Sequence, residues 1–169
     1  SKAEAERIAF DYRARGLNIV ILRPSMVYGP NEPHALKTIV TLLRYRLLPM
    51  IGNCLNKIHL TSVDNLVDVM VLALLKKEAY QGSFFVADEE VLTVKEFLSY
   101  SAKIIGVKEP FQLPKTLLFF LKPLPMIGPL TSSYTKDRVF SIRRLKEKLG
   151  YSPRVSTFDG LKKAVESYR

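Results

Sequence analysis

Apolar residues recur at helical spacing from the first turn: Ala3, Ala5, Ile8, Ala9 and Tyr12 share one face, and Gly16 supplies a C-terminal stop. This spacing predicts a helix over residues 2–15. Leu17–Leu22 follows as a six-residue run interrupted only by Asn18, rich in branched side chains. Such a run suits a strand covered on both faces, as in a parallel sheet. A helix leading directly into a buried strand is half of a β-α-β unit, so further strands are expected ahead of residue 1. The strand would otherwise offer an open edge, through which copies of the chain are expected to pair as a homo-oligomer.

Downstream, the pattern predicts helices over Ala35–Leu47 and Val63–Lys77, the second with Ser62 at its N-cap and Asp64 and Asp68 near its positive end. Met50–Lys57, with Gly52, Asn53 and Asn56, reads as a turn or short hairpin. Ile58–Thr61 and Ser83–Ala87 read as strands. Thr93-Val94-Lys95-Glu96 matches a capping box, so a helix is expected from Val94 to about Ile105, closed by Gly106. Residues 110–129 hold five of the ten prolines around the apolar run Thr116–Leu121, which predicts one short helix inside an irregular excursion. Ser141 is expected to cap a helix that stops at Gly150, and a last helix runs from Thr157 to Tyr168.

Composition narrows the classes. The 169 residues are 47% hydrophobic and 25% charged, which is ordinary for one globular unit with a real core. No apolar run reaches the roughly 20 residues that a membrane-spanning helix needs, and no secretory leader pattern opens the chain. A single cysteine, Cys54, excludes an internal disulfide and fits a reducing, cytoplasmic setting. Two histidines and one cysteine argue against a zinc site, so no metal is expected. The net charge of +10 is uneven: residues 136–169 carry ten basic and four acidic side chains. Such a surface attracts phosphates, nucleic acid or acidic lipid. A solvated helical face accounts for most of it, and no nucleic-acid partner is expected.

Four segments carry candidate chemistry. Lys2 opens an Ala/Glu-rich helix, and Arg23-Pro24-Ser25-Met26-Val27-Tyr28-Gly29-Pro30 follows the first strand. Two prolines in eight residues predict that the chain leaves the sheet here, at a strand end where open α/β sheets bind ligands. Asn56–Leu66, N-K-I-H-L-T-S-V-D-N-L, ends at a helix start. Residues 141–153, S-I-R-R-L-K-E-K-L-G-Y-S-P, and then F-D-G-L-K-K-A-V-E-S-Y close the chain. Taken in this order and spacing, the motifs resemble the extended short-chain dehydrogenase/reductase family of the NAD-dependent epimerase/dehydratase type, over nearly the whole chain.

The resemblance implies an α/β fold: the C-terminal part of a Rossmann-type parallel sheet plus a small, mostly helical substrate-binding lobe. Residues 1–30 would be the last part of the dinucleotide-binding domain. Residues 31–169 would be mainly the substrate lobe, with elements at about 58–87 returning to the sheet. It implies NAD or NADP as cofactor. Lys2 would close a Y-x-x-x-K pair, binding nicotinamide ribose and assisting a tyrosine that would lie before residue 1. Pro24, Ser25 and Val27 would face the nicotinamide. Met26 stands where relatives often carry an Asn that contacts substrate. Lys57 and His59 stand near the position of a phosphate-binding Arg, and Lys136 and Arg138 where some relatives place a phosphate-binding cation. No glycine-rich phosphate loop occurs among the eight glycines, so these residues alone are expected to be inactive. The primary expectation is a nucleotide-sugar epimerase, dehydratase or reductase. The alternative is a 3β-hydroxysteroid dehydrogenase-like oxidoreductase, suggested by Met26, the missing Arg and the apolar segment Leu113–Leu124. A third reading is a non-catalytic basic binding lobe.

Overall fold

The computed structural model describes residues 1–114, 116 and 136–168. The expected helix in Thr116–Leu121 and most of the apolar segment Leu113–Leu124 lie outside them. Helix α1 (Lys2–Ala14) ends where Gly16 takes a left-handed φ of 94°, and β1 (Ile21–Pro24) follows. The strand starts four residues later than the apolar run. Leu17 is still tied to the helix end, its N–H donating to the Tyr12 carbonyl at 3.3 Å, and Leu17–Val20 serve as connector.

β1 pairs in parallel with β5 (Ser83–Val86), Ile21 opposite Ser83 and Pro24 opposite Val86. The chain leaves the β1–β5 sheet at this point, as the sequence suggests, but it passes directly into a second sheet with new partners. Pro24 has no N–H to give to a ladder, and the Ser25 N–H donates instead to the Val86 carbonyl at 3.0 Å. The next residue begins β2 (Met26–Tyr28), which pairs in parallel with β4 (Lys57–Ser62), Met26 opposite Leu60. β4 also pairs antiparallel with β6 (Val91–Thr93). The supposed turn after Pro49 contains a strand, β3 (Met50–Ile51), paired in parallel with β7 (Gln112–Leu113). Its partner is some 60 residues away, so nothing local announces it.

Among the described residues, five further helices cover these strands: α2 (Ala35–Arg44), α3 (Val63–Leu75), α4 (Val94–Ile105), α5 (Arg143–Leu149) and α6 (Thr157–Glu166). Ser62 stands at the N-cap of α3 without a side-chain cap bond, and its backbone N–H donates to the Asp88 carboxylate at 2.9 Å. At α5 the N-cap is Ile142, and the Ser141 hydroxyl only reaches the Arg143 N–H at 3.5 Å. The α4 start follows the sequence expectation in full. Thr93 Oγ1 accepts from the Glu96 N–H at 3.1 Å, the Glu96 carboxylate accepts from the Thr93 N–H at 2.7 Å, and Gly106 closes the helix in the left-handed region. Thr93→Ala is therefore expected to cost about 1 kcal/mol. Urea denaturation reads the loss, and an unchanged midpoint would show that the cap is dispensable.

Two apolar clusters result. One joins α2, α4 and α6 over β2 and β4, with Tyr28, Val40, Leu60, Leu98 and Leu161 at its centre. The other packs α3 and α5 on β5 around Val69, Phe84, Val86 and Leu145. No helix among the described residues is long and apolar enough to cross a membrane.

Candidate functional site

The seam between the two clusters is the change of partner at Pro24–Ser25–Met26. A cleft of about 480 Å³ opens beside it. Pro24, Ser25 and Met26 form one side, Ala35 and Ile39 of α2 and Val94, Phe97 and Leu98 of α4 another. Ile58 and His59 of β4 close the third side, together with Arg138 and Phe140 of the returning C-terminal segment. Among the described residues, the wall is apolar apart from Ser25, His59 and Arg138.

The polar groups of this wall are largely committed. Ser25 Oγ lies 2.7 Å from Thr61 Oγ1. His59 is 5% exposed, with Nε2 2.8 Å from the Asp88 carbonyl and Nδ1 3.1 Å from the Phe140 carbonyl. The imidazole thus ties the C-terminal segment to the end of β5. Arg138 is fixed through its backbone: its N–H donates to the Lys57 carbonyl at 2.8 Å and its carbonyl accepts from the His59 N–H at 3.0 Å.

Of the residues singled out in the sequence, Pro24, Ser25, Met26, His59 and Arg138 meet at this cleft. Val27 does not, since alternation along β2 turns it to the opposite face, against the second cluster. Lys57 is exposed at the start of β4, its N–H donating to the Asp137 carboxylate at 2.7 Å. Lys136 is exposed, its carbonyl 3.5 Å from the Asn56 amide nitrogen. Neither lysine is on the cleft wall. Lys2 is the first residue of α1, a helix with no buried residue, held to the sheet by the Glu6–Arg23 ion pair and by Arg13 Nη2, 2.9 Å from the Ile19 and Gly82 carbonyls.

Beneath the cleft lies a polar hub that the sequence did not single out. Asp88, in the acidic loop after β5, is fully buried. Its carboxylate accepts from Tyr28 Oη at 2.8 Å, the Ser62 N–H at 2.9 Å and Asn65 Nδ2 at 2.8 Å. Asn65 extends the hub, its Nδ2 donating to the Val155 carbonyl at 2.8 Å and its Oδ1 accepting the Arg154 and Val155 N–H groups. Burial pushes the Asp88 carboxyl above its usual range, against the pull of its three donors. Burial and the neighbouring Asp88 charge push the Tyr28 phenol far upward, so it stays protonated and donates. The signal that could have found Asp88 is the V-Y-G-P tyrosine, since a buried phenol needs an acceptor. The basic C-terminal surface is partly neutralised: Arg143, Lys146, Arg154 and Lys163 pair with Glu147, Glu89, Asp68 and Asp64.

Comparison with known proteins agrees with this architecture. The model of the NAD dependent epimerase/dehydratase family matches residues 1–87. The chain is 28% identical to 3beta-hydroxysteroid-dehydrogenase/decarboxylase isoform 1 of Arabidopsis thaliana, covering 99% of this chain and 44% of that protein. It is 26% identical to the UDP-glucose 4-epimerase of Vibrio cholerae, covering 99% and 52%. Among solved structures, UDP-glucuronic acid 4-epimerase from Bacillus cereus in complex with NAD superposes with a TM-score of 0.75 at 22% identity, covering 99% and 50%. At that identity the likeness speaks for the Rossmann-type fold alone. The chain spans about half the length of the curated relatives it matches.

Proposed function

The chain belongs to the NAD-dependent epimerase/dehydratase family, and from that premise we propose that a full-length protein containing it is an NAD(P)-dependent oxidoreductase acting on an apolar alcohol or ketone. The observation that carries this reading is the cleft wall. Ile39, Leu48, Ile58, Phe97 and Leu98 surround the place where Pro24, Ser25 and Met26 carry the chain from β1 to β2. A sugar nucleotide needs partners for a base, a ribose and several hydroxyls, and each polar group left without one costs about 1–3 kcal/mol. Here the Ser25 hydroxyl and both His59 nitrogens are already bonded within the protein. A steroid or alkyl body would instead gain about 25 cal/mol per Å² of apolar surface covered.

The residues at the strand end fit the nicotinamide end of the cofactor. Pro24, Ser25 and Met26 line the cleft side by side, a surface against which a planar ring can lie. Pro24, Ser25 and Met26 would hold the nicotinamide, which when bound would supply hydride transfer to or from the substrate carbon. Lys2 is assigned to orient the ribose, and its positive charge would ease proton transfer by a tyrosine one helical turn earlier. Nothing among the eight glycines forms a phosphate loop. The 169 residues by themselves are accordingly expected to give no nicotinamide turnover.

The test is a screen of the full-length protein with NAD and NADP. Nicotinamide absorbance is followed with 3β-hydroxysteroids and long-chain 3-hydroxy acids, and UDP-glucose epimerisation is followed separately. Turnover of the apolar alcohols supports the reading. Epimerisation of UDP-glucose without turnover of the alcohols overturns it in favour of the nucleotide-sugar reading.

A further inference from the structure

His59 sits buried on the cleft wall, and what it bonds to depends on its own proton. We infer that His59 is a proton-operated positioning residue: its charge state selects between two seats of the returning C-terminal segment around Phe140, so that the third side of the cleft follows pH. The inference concerns the regulation of the cleft and holds whichever substrate class the cleft takes.

The geometry of the ring carries it. Nε2 is 2.8 Å from the Asp88 carbonyl. A carbonyl oxygen only accepts, so Nε2 carries a proton whether the ring is neutral or cationic. Nδ1 stands between two groups of a single residue. The Phe140 carbonyl oxygen is 3.1 Å away, and the Phe140 nitrogen is 3.4 Å away with its N–H aimed at the ring. In the neutral ring Nδ1 bears a lone pair, so it accepts from the N–H and meets the carbonyl lone pair to lone pair. In the imidazolium Nδ1 is a donor, so it bonds the carbonyl and meets the N–H proton to proton. One proton therefore decides which backbone group is held. The oxygen is the nearer partner and lies within the usual range of about 2.7–3.2 Å, so the arrangement described here is the cationic seat. Loss of the proton draws the Phe140 N–H inward and releases the carbonyl.

The neighbouring contacts pass that shift to the cleft. Arg138 is fastened to β4 through the Lys57 carbonyl at 2.8 Å and the His59 N–H at 3.0 Å. Phe140, two residues on, lines the cleft and stacks on Phe85 of β5 with ring centroids 5.1 Å apart. The surroundings suit a charge that comes and goes. Among the described residues, the loop after β5 brings Asp88, Glu89 and Glu90, and the returning segment brings Asp137 and Arg138. β4 itself brings Lys57, and β6 places apolar Val91 opposite His59. Lys146 and Arg143 of α5 are paired with Glu89 and Glu147. The Tyr28 and Tyr151 phenols are pushed upward by burial and stay neutral, while α2 and α4 turn apolar side chains to the cleft.

The experiment follows the His59 ring nitrogens and the backbone amides of residues 137–141 by NMR in the isotope-labelled chain. It runs from about pH 5 to 8, the span in which histidine ordinarily titrates. His34, the other histidine, is exposed and serves as the internal control. The expected result is that both His59 nitrogens carry protons at the acid end and that Nδ1 loses its proton as pH rises. Over the same transition the Phe140 N–H should gain about fivefold in hydrogen-exchange protection relative to its intrinsic rate, the weight of one hydrogen bond. In His59→Gln, whose amide offers a donor and an acceptor without titrating, that transition should vanish. A ring that keeps one protonation state across the range overturns the inference. A ring that titrates while the Arg138 and Phe140 amides stay still overturns its hold on the cleft wall. The same Phe140 transition surviving in His59→Gln assigns it to another group and overturns it too. The wild-type titration is a complete test by itself should His59→Gln not fold.

Discussion

Asp88→Ala is expected to lower the stability of the chain by about 3–5 kcal/mol, since each buried donor left unsatisfied costs about 1–3 kcal/mol and three donors lose their acceptor together. These are Tyr28 Oη, the Ser62 N–H and Asn65 Nδ2, which stand 2.8, 2.9 and 2.8 Å from the carboxylate. Against a total of about 5–15 kcal/mol for a typical domain, the loss is a large share, and it lowers Tm by about 10 °C for a domain of this size. Asp88→Asn keeps the shape and one acceptor oxygen, so it should cost less than the alanine. The two variants also separate the charge from the geometry. Because burial raises the Asp88 pKa in the folded state, the native protein holds this proton at a pH where the unfolded chain has lost it. Its contribution is present below the ordinary aspartate pKa and is lost as pH rises through the folded value. Asp88→Asn should remove that downward slope. Urea denaturation as a function of pH reads both effects. An alanine variant within about 1 kcal/mol of wild type, the typical net worth of one hydrogen bond, would show that water replaces the carboxylate and that the hub is not structural.

Asp88 also shows where sequence reading stops. Its partners are 60, 26 and 23 positions away, and no spacing rule connects them. The Thr93–Glu96 capping box was legible because both bonds close within three residues. The same contrast holds in the sheet. Apolar runs indicated that strands exist near Leu22, Leu60 and Phe84. The change of partner at Ser25 depends on where Val86 and Leu60 come to lie, and two prolines in a short stretch look like a loop until those neighbours are known. At the cleft, resemblance to a family supplied Pro24, Ser25, Met26, His59 and Arg138 one at a time. Their convergence is a property of the fold, and so is the separation of Lys57 and Lys136 from them. The apolar character of the wall comes from α2 and α4, whose inward residues read only as ordinary core in the sequence.

The second large effect comes from the opposite side of the same hub. Gly160 lies in α6, where alanine is intrinsically preferred over glycine by about 1 kcal/mol, so an exposed-helix argument predicts that Gly160→Ala stabilises. The packing predicts the reverse. A Cβ at Gly160 would stand 2.6 Å from Tyr28 Oη and 3.2 Å from the ring carbons Cε2 and Cζ. Tyr28 cannot retreat, because it is 2% exposed and its hydroxyl is bonded to Asp88 and to the Thr157 carbonyl. Overpacking of this kind costs about 1–3 kcal/mol, occasionally more, and here the lost Tyr28–Asp88 bond adds to it. We expect a net loss of about 2–3 kcal/mol once the helix preference is deducted. Tyr28→Phe removes the oxygen that would be hit, so the two substitutions should couple. Gly160→Ala made in the Tyr28→Phe background should cost at least about 1 kcal/mol less than in wild type, within the range seen for residues in direct contact. Equal costs in both backgrounds would mean that α6 shifts as a unit to admit the methyl group. In that case the seam under the cleft is softer than its hydrogen bonds imply, and Met26, two residues before Tyr28 on β2, would be held less firmly at the cleft wall.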